Sequence, residues 1–193
     1  MPKAQSSKSK ATILIGVTAS IAAYKAADLV SKLKKAGHDM HVVMTHDATH
    51  FVTPLTLRTL SGHEVVLNLF DENPETHVTH VNLADRADLL VIAPATADIL
   101  AKLAYGFADN ALAAIALVTR CPILIAPAMN GKMYLHSATQ QNVATLKARG
   151  VHFIGPEKGM LACGYEGVGR LWNVDAIVEE VEKLLQRPRR PKQ

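Results

Sequence analysis

The sequence has few cysteines, few aromatic residues and no long apolar run. Only two of its 193 residues are cysteines, and 5% are aromatic. Cys121 and Cys163 stand in different settings, so no disulfide framework is indicated and a cytoplasmic location is the simpler expectation. The longest apolar stretches, such as Ala111 to Val118, are far shorter than the ~20 residues of a bilayer span. A membrane span is therefore not expected. No small-residue cleavage site follows the start, so no secretory signal is expected either.

The sequence also lacks a basic stripe with interleaved aromatic residues, the pattern typical of nucleic-acid binding. Its formal charge of +4 comes from lysines and arginines at the two ends, and the body between them is near neutral. We therefore expect a flexible N-terminal tail over residues 1–10, one domain over residues 11–186 and a basic C-terminal tail over residues 187–193. No nucleic-acid partner and no membrane partner are expected.

A regular alternation of strand-length apolar runs and amphipathic segments fills the rest of the chain. Predicted helices run from the turn at Ser20 to Ala36, from the N-cap Thr53 to Leu60, onward from Thr96, from Ser137 to Arg149 and from Asn173 to Gln186. Predicted strands run from Thr12 to Val17, Met40 to Met44, Glu64 to Leu67, Leu89 to Ala93, Pro122 to Ala126 and Val151 to Ile154. This order predicts an α/β fold: a single doubly wound parallel sheet with helices on both faces, Rossmann-like in arrangement.

One segment, Gly155 to Leu171, does not follow the alternation. It holds five glycines at positions 155, 159, 164, 167 and 169. Such a glycine content predicts a long loop without regular structure over most of its length. Loops of this length inside a compact domain are often lids over active sites.

The carboxyl ends of the predicted strands are where a ligand is expected in such a sheet. The first turn, Gly16 to Ile21, has a single glycine where a dinucleotide fingerprint needs three. The second strand ends in Met44 and Thr45, with no acidic residue for a ribose diol, so nicotinamide dinucleotides are disfavoured. Instead, four hydroxyl residues lie at strand-to-helix junctions, where helix N-termini favour a phosphate: Thr18, Ser20, Thr45 and Thr96. The alternative is that each is a simple N-cap.

Five segments in this order resemble the homo-oligomeric flavin-containing cysteine decarboxylases. They are residues 16–25 (GVTASIAAYK), His80 ahead of residues 87–89 (ADL), residues 93–98 (APATAD), residues 127–130 (PAMN) with Met133, and residues 161–164 (LACG). The resemblance runs from about Ala11 to Leu185. The PAMN and ACG segments together are quite specific, and the set is most similar to family members that act on 4'-phosphopantothenoylcysteine.

The resemblance implies a Rossmann-like flavoprotein that converts 4'-phosphopantothenoylcysteine to 4'-phosphopantetheine in coenzyme A biosynthesis. It implies oxidation to a thioaldehyde by FMN, loss of CO2 and re-reduction of an ene-thiolate. The implied cofactor-binding residues are Thr18, Ala19, Ser20, Ile21, Thr45, Thr96, Ala97, Asp98, Ile99 and Ala128. The implied catalytic residues are His80, Asn130 and Cys163, and the implied substrate-binding residues are Asn130, Met133, Ala162 and Cys163.

Each implied catalytic residue has a chemical reason and a plainer alternative. His80 can move a proton at neutral pH, although a lone histidine near a helix start is commonly structural. Asn130 offers amide N–H donors to a carboxylate, although an asparagine here can simply cap a turn. The resemblance implies that Cys163 lies on a substrate-covering flap, where a thiol could protonate the ene-thiolate, whereas Cys121 fits a buried structural cysteine.

The sequence departs from the family at Tyr165, where many relatives carry an acidic residue. It also lacks the coupled synthetase half of bifunctional relatives, so it is either a free-standing decarboxylase or part of a longer protein. Alternatives are a peptidyl-cysteine decarboxylase of peptide maturation, a flavin prenyltransferase, or a non-catalytic FMN-binding regulatory subunit, which would be expected to lack one of the three catalytic residues. The resemblance further implies trimers, or dodecamers built from them, with sites at the subunit interface.

Overall fold

The computed structural model of the chain describes residues 10–69 and 79–187. Its strands are β1 (Thr12–Val17), β2 (Asp39–Met44), β3 (Leu89–Ala95), β4 (Ile123–Pro127), β5 (His152–Phe153), β6 (Glu157–Met160) and β7 (Glu166–Arg170). Its α-helices are α1 (Lys25–Lys35), α2 (Pro54–Ser61), α3 (Thr79–Arg86), α4 (Ala97–Tyr105), α5 (Ala111–Val118), α6 (Gly131–Leu135), α7 (Ser137–Ala148) and α8 (Val174–Gln186). Two 3-10 helices, Ile21–Tyr24 and His46–His50, follow β1 and β2. The predicted tails fall outside the described residues, apart from Lys10 and Arg187.

The main sheet has five strands in the order β2-β1-β3-β4-β5, and every neighbouring pair is parallel. The chain builds outward in one direction from β1 to β2 and in the other from β3 to β5. The reversal therefore lies between β1 and β3, and their carboxyl ends form the crevice where such sheets bind ligands. This confirms the predicted doubly wound parallel sheet.

Helices cover both faces of this sheet, because successive residues of its buried strands point to opposite sides. Ile13 and Ile15 of β1 join one core cluster with α1, α2 and α8, while Leu14 joins another with α3, α4, α5 and α7. Gly16 serves this packing, since a Cβ there would lie 2.5 Å from Leu112 Cδ1 on α5. The glycine of the first turn is thus a packing residue.

The predicted helix signals at α2 are confirmed. Thr53 Oγ1 accepts a hydrogen bond from the N–H of Thr56, Pro54 opens the helix, and Gly62 ends it with φ 81°. Likewise, the N-cap Asn173 of α8 accepts from the N–H groups of Asp175 and Ala176. These boundaries depend on local chemistry, which a sequence displays directly.

The prediction of a long irregular loop from Gly155 to Leu171 is wrong. This segment contains the antiparallel hairpin β6–β7, in which Gly159 pairs with Gly167. Its glycines permit close packing of backbone and side chains; a Cβ at Gly159 would lie 2.5 Å from the Arg170 guanidinium. The predicted strand from Glu64 to Leu67 is reduced to one parallel bridge between Val43 and Val66. In the residues described, no helix is long and apolar enough to cross a membrane.

Candidate active site

Thr18 joins the two strands that flank the reversal point. Its Oγ1 donates to the carbonyl oxygen of Pro94 at 2.8 Å and accepts from the N–H of Thr96 at 3.0 Å. The residue is only 1% exposed. These two bonds, one buried and one partly buried, tie the carboxyl end of β1 to that of β3, which gives Thr18 a structural role at the floor of the crevice.

Ser20 and Thr96 both act as N-caps in the structure. Ser20 Oγ accepts from the N–H of Ala22 at 3.3 Å, and Thr96 Oγ1 accepts from the N–H of Ile99 at 3.4 Å. Each hydroxyl begins a helix that points its N-terminus at the crevice. Since a hydroxyl has two acceptor lone pairs and one proton, capping leaves the proton available to an anion.

Thr45 is different, because its hydroxyl has no partner. Thr45 Oγ1 is buried and makes no hydrogen bond to any residue that the structure describes, although the residue stands where an N-cap for His46–His50 would be. Its backbone N–H is bonded to the carbonyl oxygen of Val17 at 3.0 Å, which places it beside the end of β1. A buried hydroxyl without a partner costs free energy, so this one is suited to an acceptor such as a phosphate oxygen.

The other predicted cofactor-binding residues surround these hydroxyls with differing exposure. Ala19 and Ala97 are half-buried, and Ile21 is exposed. Asp98 is exposed, and its carboxylate pairs with Lys102 at 3.3 Å along α4. Ile99 and Ala128 are buried, so contact with a ligand at these two positions would involve the backbone rather than the side chain. A pocket rich in hydroxyls and helix N-termini fits a mononucleotide phosphate.

Asn130 is the centre of a second group of contacts, which follows β4. As the N-cap of α6, its Oδ1 accepts from the N–H of Lys132 at 2.9 Å. The same oxygen accepts from the hydroxyl of Tyr165 at 2.8 Å, and Nδ2 donates to Cys163 Sγ at 3.2 Å. The structure therefore brings together the predicted Asn130 and Cys163 and adds Tyr165, whose role the sequence left open.

The hairpin reaches Asn130 because two glycines let it dock. The N–H of Met129 donates to the carbonyl oxygen of Gly169 at 2.9 Å. A Cβ at Gly169, where φ is 146°, would collide with the carbonyl oxygen of Met129, and one at Gly131 would lie 2.7 Å from the carbonyl oxygen of Val168. A backbone contact this close is possible only without side chains. Sequence reasoning noted Gly169 without its docking role and did not single out Gly131.

The remaining predicted residues are placed less fully. His80 is the second residue of α3, and its side chain lies outside what the structure describes. Met133 on α6 and Ala162 beside Cys163 are exposed. Cys121 is partly buried, its Sγ lies 3.1 Å from Thr119 Oγ1, and burial raises the pKa of its thiol, as expected for a structural cysteine.

A polar cluster that sequence reasoning missed lies at the opposite, amino end of the sheet. The Asp39 carboxylate lies within hydrogen-bonding distance of His63 Nε2, at 3.0 Å, and of His41 Nε2, at 3.3 Å. The imidazole rings of the two histidines stack with centroids 4.2 Å apart. Burial lowers the pKa of His41, and the charge of His63 lowers it further against the attraction of Asp39. Residues i and i+2 of a strand share one face, a signal that could have identified Asp39 and His41.

Comparisons with known proteins agree with this arrangement. The model of a family described as Flavoprotein matches residues 2–186. A probable phosphopantothenoylcysteine decarboxylase of Streptococcus mutans is 46% identical over 175 residues, covering 90% of this chain and 98% of that protein. The coenzyme A biosynthesis bifunctional protein CoaBC of Haemophilus influenzae is 48% identical over 165 residues, covering 86% of this chain. The chain spans about two fifths of the length of such bifunctional relatives (41% here).

Two solved structures share the fold across nearly the whole chain. One is a cysteine-to-serine mutant of PPC decarboxylase complexed with pantothenoylaminoethenethiol, with a TM-score of 0.82 and 29% identity over 93% of this chain and all (100%) of that one. The other is the FMN-dependent cysteine decarboxylase SpaF, with a TM-score of 0.80 and 31% identity over 92% of this chain and 98% of that one.

Proposed function

The chain belongs to the flavoprotein family, and we propose that it decarboxylates 4'-phosphopantothenoylcysteine to 4'-phosphopantetheine, a step of coenzyme A biosynthesis, with FMN as its cofactor. The observation that supports this most directly is the hydrogen bond from Asn130 Nδ2 to Cys163 Sγ, because it joins a carboxylate-binding amide to a thiol acid. We take residues 11–186 as one decarboxylase domain, supported by the family match over residues 2–186.

FMN would be held by the hydroxyls and helix N-termini at the strand ends. Thr45 Oγ1 is the strongest candidate for a phosphate contact, since it is buried and unpartnered. Ser20 and Thr96 would contribute their protons, while Thr18 would hold the floor of the pocket through its bonds to Pro94 and Thr96. When bound, the flavin would supply two-electron oxidation of the substrate thiol and the later return of hydride.

The Asn130 amide would bind the substrate carboxylate. It carries two N–H bonds, one of which goes to Cys163, so the second remains for a carboxylate oxygen. An uncharged donor orients the carboxylate without the strong ground-state attraction that a cation would exert. His80 would hold or move the proton of the substrate thiol, a role that its imidazole suits at neutral pH.

Cys163 would donate the proton needed to complete the product. In the contact with Asn130, Sγ is the acceptor, so the thiol proton is not used there. The side chain is exposed, as a group that must meet a substrate has to be. After donation, the neighbouring amide N–H would stabilise the thiolate that remains.

We also propose that the chain self-associates, as a trimer or as a dodecamer built from trimers, with its sites completed at subunit interfaces. Large apolar side chains are exposed, among them Ile21 (61%) and Tyr24 (60%) in the 3-10 helix that follows β1 and Leu55 (60%) in α2. Exposed apolar groups of this kind favour burial between subunits. Light scattering coupled to size-exclusion chromatography would give the mass. Since its two cysteines are unpaired, we place the protein in the reducing cytoplasm.

The test of the proposed function is a single-turnover reaction with phosphopantothenoylcysteine, following CO2, flavin absorbance and product mass. The parent should be yellow, release FMN on denaturation and form phosphopantetheine. His80→Asn should release no CO2, with the flavin absorbance remaining that of the oxidised form. Cys163→Ser should release CO2 yet accumulate a product lighter by two hydrogen atoms. Because one general acid is worth ~10² to 10⁴ in rate, slow formation of the normal product is allowed.

Three outcomes would overturn parts of this proposal. A protein that releases FAD, or that stays colourless after incubation with FMN, contradicts the cofactor. Turnover of a peptide with a C-terminal cysteine, but not of phosphopantothenoylcysteine, would support the alternative of a peptidyl-cysteine decarboxylase. If Cys163→Ser forms fully reduced product at the parent rate, Cys163 only covers the site.

A further inference from the structure

Tyr165 lies on the hairpin and touches Asn130 through its hydroxyl. The O–H donates to Asn130 Oδ1 at 2.8 Å, and the side chain is partly buried. An ionised carboxylate at this position would have no proton to donate to Oδ1. The contact therefore depends on the hydroxyl of Tyr165.

The Tyr165 ring rests on two glycines. A Cβ at Gly167 would lie 3.1 Å from Tyr165 Cε2, and one at Gly131 would lie 3.6 Å from the Tyr165 hydroxyl oxygen. Gly131 directly follows Asn130, so the surface that receives the ring belongs to the same turn as the amide. The position of the hydroxyl is thus fixed by packing as well as by its hydrogen bond.

The backbone of Tyr165 also fixes the turn that carries Cys163. Its carbonyl oxygen accepts from the N–H of Leu161 at 2.9 Å, and the carbonyl oxygen of Leu161 accepts from the N–H of Gly164 at 2.9 Å. One residue therefore holds both partners of the contact between Asn130 and Cys163. Its main chain places the thiol and its side chain orients the amide.

The orientation of the amide matters because its two ends have opposite hydrogen-bonding character. With Oδ1 facing Tyr165 and Lys132, Nδ2 is directed at Cys163. A flipped amide would present an acceptor to the thiol and to a carboxylate, and a carboxylate would be repelled by it. We infer that Tyr165 is a positioning residue, which keeps the Asn130 amide donor directed at Cys163 and at the substrate carboxylate.

This inference rests on the proposed function for its kinetic test. Tyr165→Phe keeps the ring and removes only the donor, so kcat should fall about five- to tenfold, as for loss of one neutral hydrogen bond, with little change in KM. In an Asn130→Ala background, the same change should have almost no effect, because the amide that it orients is gone. Tyr105→Phe, on an exposed tyrosine at the end of α4, is the matched control and should behave as the parent.

A second measurement does not depend on turnover. The rate at which iodoacetamide alkylates Cys163 should be measured at one pH by mass spectrometry, with Cys121 as an internal reference. Loss of the oriented N–H donor should free Sγ of its contact with Asn130 and raise the Cys163 rate in Tyr165→Phe and in Asn130→Ala alike, and leave it unchanged in Tyr105→Phe.

The outcomes separate the two proposals. Additive losses of kcat in the double variant, or a Cys163 alkylation rate that Tyr165→Phe does not change, would show that Tyr165 only packs the hairpin. If the parent releases no CO2 from phosphopantothenoylcysteine while the alkylation rates change as expected, the proposed function fails and the positioning role stands.

Discussion

Two regions contribute to the site, and they are held in place by different means. The strand-end platform, made of Thr18, Ser20, Thr45 and Thr96, is set by strands buried between two layers of helices. The hairpin of residues 157–170 is largely exposed, and a few close contacts hold it against the turn at Asn130. The position of the platform is held by the packed core as a whole, whereas the position of the hairpin depends on each of its few contacts.

Because the two regions are held so differently, we expect them to have different roles in the proposed reaction. A cofactor that stays bound through many turnovers suits the platform, in which hydroxyls are fixed before a ligand arrives. A substrate that must enter and leave suits a cover held by a small number of contacts. Substitutions in the platform should therefore affect cofactor affinity, and those in the hairpin or at Asn130 should affect turnover.

The largest effect is expected from Asn130→Asp. This change puts a carboxylate against the substrate carboxylate, and like charges in contact cost several kcal/mol, which corresponds to a loss of about 10²-fold or more in kcat/KM. FMN content should persist, because Asn130 does not belong to the platform. The rate of CO2 release would give the loss in kcat/KM, and the flavin absorbance would give the FMN content. Normal turnover by the variant would mean that Asn130 only caps α6 and that the carboxylate binds elsewhere.

Gly169→Ala should undock the hairpin. At φ 146° the new Cβ would collide with the carbonyl oxygen of Met129, and strained backbone alone costs about 1–3 kcal/mol. We expect faster tryptic cleavage at Lys158 or Arg170, together with a fall in turnover, while FMN remains bound. Gly37→Ala is the control, since φ there is 97° but nothing lies within 4 Å of a Cβ. Equal cleavage in both variants would contradict the docking role of Gly169.

Thr45→Val should weaken FMN binding by about 10- to 10²-fold, the value of one hydrogen bond to a charged group. The cofactor-free protein should be no less stable than the parent, because the removed hydroxyl has no partner. Thr96→Val is the informative contrast, since it removes an N-cap bond and should cost the cofactor-free protein about 1 kcal/mol. FMN titration and urea unfolding would compare them. Unchanged FMN affinity in Thr45→Val would exclude Thr45 as a phosphate ligand.

The smallest effect is expected from lowering the pH. It would act through the cluster of Asp39, His41 and His63, which is remote from both regions. The pKa of His41 in the folded protein lies below its usual 6.5, so the unfolded chain takes up the proton first as the pH falls. Stability should therefore decline from about pH 6.5 downwards until the pH passes the folded value. Burial raises the pKa of Asp39, but His63 and His41 together lower it below 3.8, so its contribution is lost only at lower pH.

The measurement is Tm against pH for the parent and for His41→Gln. Between pH 7.5 and 5 the parent should lose a few degrees at most, and the variant should lose less. His50→Gln, on an exposed histidine, should follow the parent. Equal slopes in the parent and His41→Gln would show that the cluster does not respond to pH in this range.

Much of the platform could be predicted because its signals are local. The N-cap at Thr96, the cap and stop of α2 at Thr53 and Gly62, and the apolar runs of β1 and β3 depend on neighbours within a few residues. The hairpin could not be predicted in the same way. Its glycines read as breakers of regular structure. For Gly169 the actual reason is a backbone some 40 residues away in the sequence, at Met129 and Gly131.

The sequence by itself determined the fold class, the order along the chain of the strands of the main sheet and the identities of the candidate residues, because periodicity, caps and short motifs are properties of adjacent positions. Only the tertiary structure decided which of the four hydroxyls is unpartnered, that Thr18 binds Pro94, and that Tyr165 meets Asn130. Those facts concern residues distant in the chain, and a hydrogen bond between them exists only when the folded backbone places donor and acceptor within about 3 Å.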